Sequence, residues 1–224
     1  MKPYLKGGLF VVACYLFFLI SNCPANRVVP WLPVPAELHL TGLSGSIWHG
    51  QLERVDFRST TLRNVSWTLP ISSLLLFQPA LQLTFADPGS LMGRAEVRLR
   101  SQPKAQDVSL KADADWLQTR AGIALPVSLS GKVQLELDEL ELAPTSCVAL
   151  DGSLSWSGAG FNSQFGAVRL DQAKAQLSCE KGKVIAKLKQ KSDQVAVEGK
   201  AELTLPATYR FVGTLTPGKG LPDA

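Results

Sequence analysis

Two histidines, His39 and His49, are all that the 224-residue chain contains. No further Cys or His stands near them in sequence, so a zinc centre would be short of ligands, and both read as surface or turn residues. A Walker phosphate loop, a dinucleotide fingerprint and a C-x-x-C pair are also missing. Gly42-Leu-Ser-Gly-Ser46 comes near a nucleophile elbow, but G-x-S-x-G requires glycine where Ser46 stands. Charge of one sign is lacking too: leaving out Lys2 and Lys6, 21 basic residues face 19 acidic ones. That balance excludes the electrostatic footprint of a nucleic-acid binder. Long helical patterns are scarce, with only Ile71–Phe77 and Asp115–Ala121 able to make one or two turns each. These absences leave no catalytic, cofactor-binding or metal-binding residue to assign, and they point away from an enzyme.

What the chain does have is an apolar N-terminus. Twenty residues without a charge separate Lys6 from Arg27, and Leu9–Ile20 is almost wholly apolar. As a helix this stretch is about 30 Å long, the thickness of a bilayer's hydrocarbon core. Lys2 and Lys6 precede it, which by the positive-inside rule holds residues 1–6 in the cytoplasm and sends the rest across. A cleaved signal peptide and a lipoprotein acylated at Cys23 are the competing readings. The exit sequence Ser21-Asn-Cys-Pro-Ala25 suits neither well, because Cys23 sits where a small A-x-A residue belongs and Asn22 is bulky. The expectation is an uncleaved transmembrane helix over 7–26, flanked by Tyr4 and Trp31 at the membrane interfaces. The connector 27–36 follows, with Pro30, Pro33 and Pro35 forbidding a continuing helix.

From Glu37 the dominant signal is period-2 alternation, the mark of strands with one buried face. Leu81, Leu83 and Phe85 alternate with Gln82 and Thr84. Val133, Leu135 and Leu137 alternate with Gln134 and Glu136, and Ala173, Ala175 and Leu177 with Lys174 and Gln176. The phase slips between Leu137 and Leu140, which predicts a β-bulge or a break at Asp138-Glu139. The acidic run Glu136–Glu141 is then a solvated strand face rather than a cation site, since carboxylates spread along a strand do not converge. An aliphatic-x-Gly-x-aliphatic pattern at Gly45, Gly131, Gly152 and Gly199 places glycines at bends or close backbone approaches. The fold predicted is all-β: an elongated or curled antiparallel sheet, layered or taco-like, over residues 37–215. A flexible tail, or a place for a partner strand to add, takes 216–224. Trp48, Trp67, Trp116 and Trp156 are expected to fill core volume.

Cys14 and Cys23 belong to the apolar segment, leaving Cys147 and Cys179 in the soluble part. An even pair in an oxidising periplasm reads as a disulfide, two buried thiols being the alternative. Cys147 is out of phase with Leu150 and Leu154, so it belongs at a strand end.

The sharpest string is Leu43-Ser-Gly-Ser-Ile-Trp-His-Gly-Gln-Leu52. It resembles the L-S-G-T-[LVI]-W-x-G signature of the protein N family of the type II (general) secretion system, with Ser46 where Thr is more usual. Val65-Ser-Trp-Thr-Leu69 and the Cys147–Cys179 half are similar to that family as well. The resemblance implies a non-catalytic, single-pass inner-membrane protein without cofactor. Its partners would be inner-membrane platform proteins or the secretin, with Leu43, Gly45, Trp48 and Gly50 as an architectural motif. Similar glycine-tryptophan strings occur in AsmA-like proteins, which implies the runner-up: a periplasmic sheet that binds or transfers lipid.

Overall fold

The structure, a computed structural model, describes residues 2–29, 38–57, 60–75, 78–87, 91–98, 104–120, 127–163, 166–205 and 208–218. Its first element is helix α1 (Lys2–Ser21), followed after a break by a single turn, α2 (Ala25–Val28). Pro24 explains the break, since a proline disfavours helical conformation in the residue before it. The helix therefore ends at Ser21, short of the boundary at 26 expected from charge alone, and α2 begins before the expected connector. Trp31 and the three connector prolines lie outside the described residues. Phe10, Val11, Val12, Tyr15, Phe17, Phe18, Leu19 and Ile20 are all exposed on α1. Among the described residues no helix is long and apolar enough to cross a membrane. The side chains of Leu9, Ala13 and Leu16, in the middle of α1, fall outside that description.

The remainder is β-structure, and the described strands form one sheet of thirteen. They are β1 (Leu38–Thr41), β2 (Ser44–Gly45), β3 (His49–Phe57), β4 (Thr60–Thr68), β5 (Ala80–Asp87), β6 (Leu91–Arg98) and β7 (Lys104–Asp113). Then come β8 (Ser128–Ala143), β9 (Ser146–Ser163), β10 (Gly166–Glu180), β11 (Lys183–Lys191), β12 (Val195–Thr204) and β13 (Thr208–Pro217). From β3 onward each strand pairs antiparallel with the next, while β1 and β2 share the outer edge of β3. Two short helices interrupt the meander. These are α3 (Ile71–Leu75), between β4 and β5, and α4 (Ala114–Arg120), between β7 and β8, both where the sequence allows a helical turn. The Gln118 side chain clips α4 to β8 by accepting from Leu129 N–H and donating to the Val127 carbonyl.

The ladder register puts the alternating apolar residues on one face. Leu110, Leu135, Leu154, Ala175, Leu188 and Gly199 lie side by side across β7 to β12. The predicted bulge is present: the β8–β9 register shifts between Leu137 and Glu139, returning Leu140 opposite Leu150. With the described strands all in one sheet, few large side chains among the described residues are fully buried. The buried set is mostly alanine (Ala80, Ala112, Ala114, Ala159, Ala173, Ala175), and Ile185 is its largest fully buried member. The tryptophans differ from expectation for the same reason: Trp48, Trp67, Trp116 and Trp156 are half-buried, not core residues.

β13 carries the chain two residues past the predicted tail boundary, to Pro217. Proline is tolerated there because it closes an edge strand whose outer N–H groups have no ladder to join. All ten residues of β13 are exposed. Residues 219–224 lie outside the described residues.

Candidate functional site

The Leu43–Gly50 string forms a tight reversal between β2 and β3. Gly45 sits at φ +90°, a backbone conformation that side chains disfavour. A Cβ at Gly45 would meet the His49 carbonyl oxygen at 2.5 Å and the Gly50 Cα at 2.8 Å. Gly45 pairs directly with Gly50, and Ser46 N–H donates to His49 O at 2.8 Å. The Ser46 hydroxyl accepts from the N–H groups of Trp48 (3.3 Å) and His49 (3.2 Å), which ties the loop from within. A threonine hydroxyl does the same, which accounts for Ser standing where Thr is usual.

Gly50 is buried, and a Cβ there would run into the indole of Trp67, its partner across the β3–β4 ladder. Trp67 in turn donates its indole N–H to Ile47 O at 3.2 Å. Leu43 is half-buried beside β2.

The reversal faces the end of α1. Trp48 Nε1 donates to Ile20 O at 2.9 Å, Ile47 N–H donates to Cys23 O at 3.1 Å, and Pro24 bridges Ser46. Carbonyls in the last turn of a helix lack intrahelical partners, and the motif supplies one for Ile20. On its other side, Trp48 O accepts from Leu69 N–H at 2.7 Å. The string is thus a joint holding the helix end, the strand β3 and the β4–α3 corner together. The structure brings Leu43, Gly45, Trp48 and Gly50 together with Ser46, and adds Trp67 and the helix carbonyls, which the sequence reading did not assign to the string. The spacing of Trp67 from the string was a usable signal; the Ile20 contact left none.

Elsewhere the described residues assemble no metal cluster. His39 and His49 are exposed, and no trio of His, Cys, Asp or Glu among the described residues is placed to hold a metal. In the acidic run, Glu139 pairs with Lys104 and Glu136 accepts from Gln134, so the carboxylates face separate partners. Open hollows of about 540 and 490 Å³ on the sheet are lined by Lys, Gln and Ser beside Leu154 and Val133, without a nucleophile–base pair. The most connected ionic group is Glu180 and Glu202 around Lys200, with Lys187 and Lys183 outside it. The Lys187 and Lys200 ammonium groups hold the Glu180 carboxyl below its ordinary range, Lys200 does the same to Glu202, and the two carboxylates raise Lys200.

Cys147 and Cys179 are joined in a disulfide with Cα atoms 5.7 Å apart. Cys147 is the second residue of β9, the strand-end position its phase required. The β9–β10 ladder stops at Asp151 and Ser178, and the disulfide continues the link beyond it, helped by Cys147 N–H donating to Gly182 O at 2.8 Å.

The family model described as "Type II secretion system (T2SS), protein N" matches residues 36–224, which hold the Leu43–Gly50 string and the strands but not the helix end it meets. The chain belongs to that family. Type II secretion system protein N of Aeromonas hydrophila is 37% identical over 99% of this chain and 89% of its own length. The protein N chains of Pectobacterium carotovorum subsp. carotovorum (32%, 99% and 88%) and Klebsiella pneumoniae (30%, 99% and 87%) are similar over the same extent. No solved structure matches the chain. Protein N membership accounts for the Leu43–Gly50 string, and the joint gives that string a physical task.

Proposed function

We propose that this chain is a non-catalytic, single-pass component of the type II secretion system in the bacterial inner membrane. It helps assemble or stabilise the machinery that exports folded proteins from the periplasm. Family membership supports the system, and the joint between α1 and the sheet carries the role within it. In this reading α1 spans the membrane with its N-terminus in the cytoplasm. A 20-residue helix with large apolar side chains exposed, and no charge between Lys6 and Arg27, supports that topology. The motif Leu43, Gly45, Trp48 and Gly50 then fixes the periplasmic sheet to its anchor. Sheet twist of roughly 20–25° per strand, accumulated across so many strands, supports a curled shape. The exposed β13 edge is where a strand of a platform protein or the secretin would add.

The apolar face favours a second reading, a sheet that holds lipid. On that face the buried Gln190 donates to Leu170 O while its Oε1 is buried without a partner, a polar group within an otherwise apolar face. One experiment separates the two. Photo-crosslinking residues replace Tyr209 on β13 and, separately, Leu188 on the apolar face of the full chain in cells, with mass spectrometry of products. Adducts from Tyr209 to secretion-system proteins support assembly. Phospholipid adducts from Leu188, with no protein adduct from Tyr209, would replace it with the lipid reading.

A further inference from the structure

The longest uncharged stretch in the chain is not the N-terminal segment. Residues 64–86, 23 in a row, contain no Asp, Glu, Lys or Arg, against 20 between Lys6 and Arg27. They cover β4 from Asn64, α3 and most of β5. The solvent side of these strands carries Ser66, Thr84 and Gln82, where β10 and β11 carry Lys174, Lys187 and Lys189. At the tip of this stretch Ile71 is 53% and Leu74 37% exposed.

The topology says which way that tip points. β3 starts, β4 ends and β5 starts at one end of the sheet, since His49 pairs with Thr68 and Trp67 with Leu83. α3 projects from that end. α1 meets the sheet at the same end, through Trp48 to Ile20, and Trp48 O takes the Leu69 N–H two residues before α3 begins. The corner is also satisfied internally. Ser73 Oγ donates to Pro70 O at 2.6 Å, Ser73 N–H donates to the same carbonyl, and Gln78 N–H donates to Ser73 O. With Ser73 bonded inward, Ile71 and Leu74 are exposed. Apolar side chains over a self-bonded, charge-free turn suit the boundary between headgroups and acyl chains.

We propose that α3 is a second membrane contact: Ile71 and Leu74 insert into the periplasmic leaflet beside the exit of α1. The occupant is lipid, not a protein partner, because α3 projects from the end of the sheet that α1 meets. With α1 it makes two points of contact, joined rigidly through Trp48, and two points fix the tilt of the sheet over the membrane where one would let it swing. The inference rests on α1 spanning the bilayer as proposed above.

The test uses the full chain in phospholipid vesicles, with Cys14 and Cys23 replaced by serine. An environment-sensitive thiol dye is placed in turn on Ile71→Cys, Leu74→Cys, Phe17→Cys in α1, and Thr214→Cys in β13. Expected is blue-shifted emission, quenched by nitroxide lipids, at positions 71 and 74 as well as 17, and water-like unquenched emission at 214. Water-like emission at 71 and 74 with quenching at 17 overturns the α3 contact and leaves the anchor standing. Water-like emission at 71, 74 and 17 together overturns both. Quenching at 71 and 74 without it at 17 overturns the spanning helix, and with it the two-point contact beside its exit.

Discussion

The indole nitrogen of Trp48 lies 2.9 Å from the carbonyl oxygen of Ile20, a contact across 28 residues of chain. It ties the last turn of the N-terminal helix to the motif that opens the sheet. Trp48→Phe keeps the ring and removes only the donor. The expected cost is about 0.5–1.5 kcal/mol, seen as a lower unfolding midpoint of the full chain in detergent. An unchanged midpoint would show that the helix end is held without Trp48.

Gly45 and Gly50 fail differently when substituted. Gly45→Val combines a β-branched residue at φ +90° with a clash against the His49 carbonyl, and a loss of about 2 kcal/mol or more is expected. At Gly50→Ala the nearest atoms the new methyl meets belong to the Trp67 ring, so trimming that ring to leucine should ease the clash. Urea unfolding of the single and double variants measures the coupling: Gly50→Ala should cost less in the Trp67→Leu background. Equal costs in both backgrounds would remove the Gly50–Trp67 pairing from the account.

The Ser46 hydroxyl accepts two backbone N–H groups within the reversal. Ser46→Thr is expected to leave thermal stability unchanged, while Ser46→Ala lowers it by about 1 kcal/mol. Equal melting of the two variants would count against the hydroxyl's role.

The disulfide closes a loop between residues 32 apart, worth about 3–4 kcal/mol on the chain-entropy account. The Cys147→Ser/Cys179→Ser variant should unfold at markedly lower denaturant, and the wild type should fall to meet it on reduction. A wild type indifferent to reductant would contradict the bridge.

Acid should weaken the far half of the sheet first. Glu180 and Glu202 are held below the ordinary glutamate value of 4.5 by their lysines. Their stabilisation is present above that value and lost as pH falls through the lower folded-state values. Lys200, raised above 10.5 by the same carboxylates, contributes below that pH and loses its contribution as pH rises through its own value. All three are solvent-exposed, so the effect is small and shrinks with salt. Glu180→Gln/Glu202→Gln should flatten the acid limb of a plot of unfolding midpoint against pH. An acid limb identical to wild type would place the sensitive carboxylates elsewhere.

Much of the fold was legible because strand alternation is a local signal. The Leu137-to-Leu140 phase slip gave the bulge, and the odd phase of Cys147 gave its place at a strand end. The glycines of the repeated pattern lie where a Cβ would strike the neighbouring strand, as Gly152 shows against Glu136 O and Gly199 against Phe211. What alternation does not carry is how many layers the strands make. The same pattern serves a sandwich with a thick core and one long sheet whose tryptophans stay half-buried. Charge marks only the extent of the uncharged run to 26, whereas the helix stops at Ser21 ahead of Pro24. The joint escaped for a further reason: Trp48 reaches a backbone carbonyl, and any residue at position 20 would offer one.

From β3 on, every strand pairs with the strand made just before it. A chain threaded across a membrane from its N-terminus can therefore zip up in the order it emerges, each new segment finding its template already laid down. No strand has to wait for a distant one, and closure of a long loop never limits the rate. Such vectorial growth always leaves one raw margin, which moves outward with each added strand. Among the described strands that margin is β13, whose ten residues are all exposed.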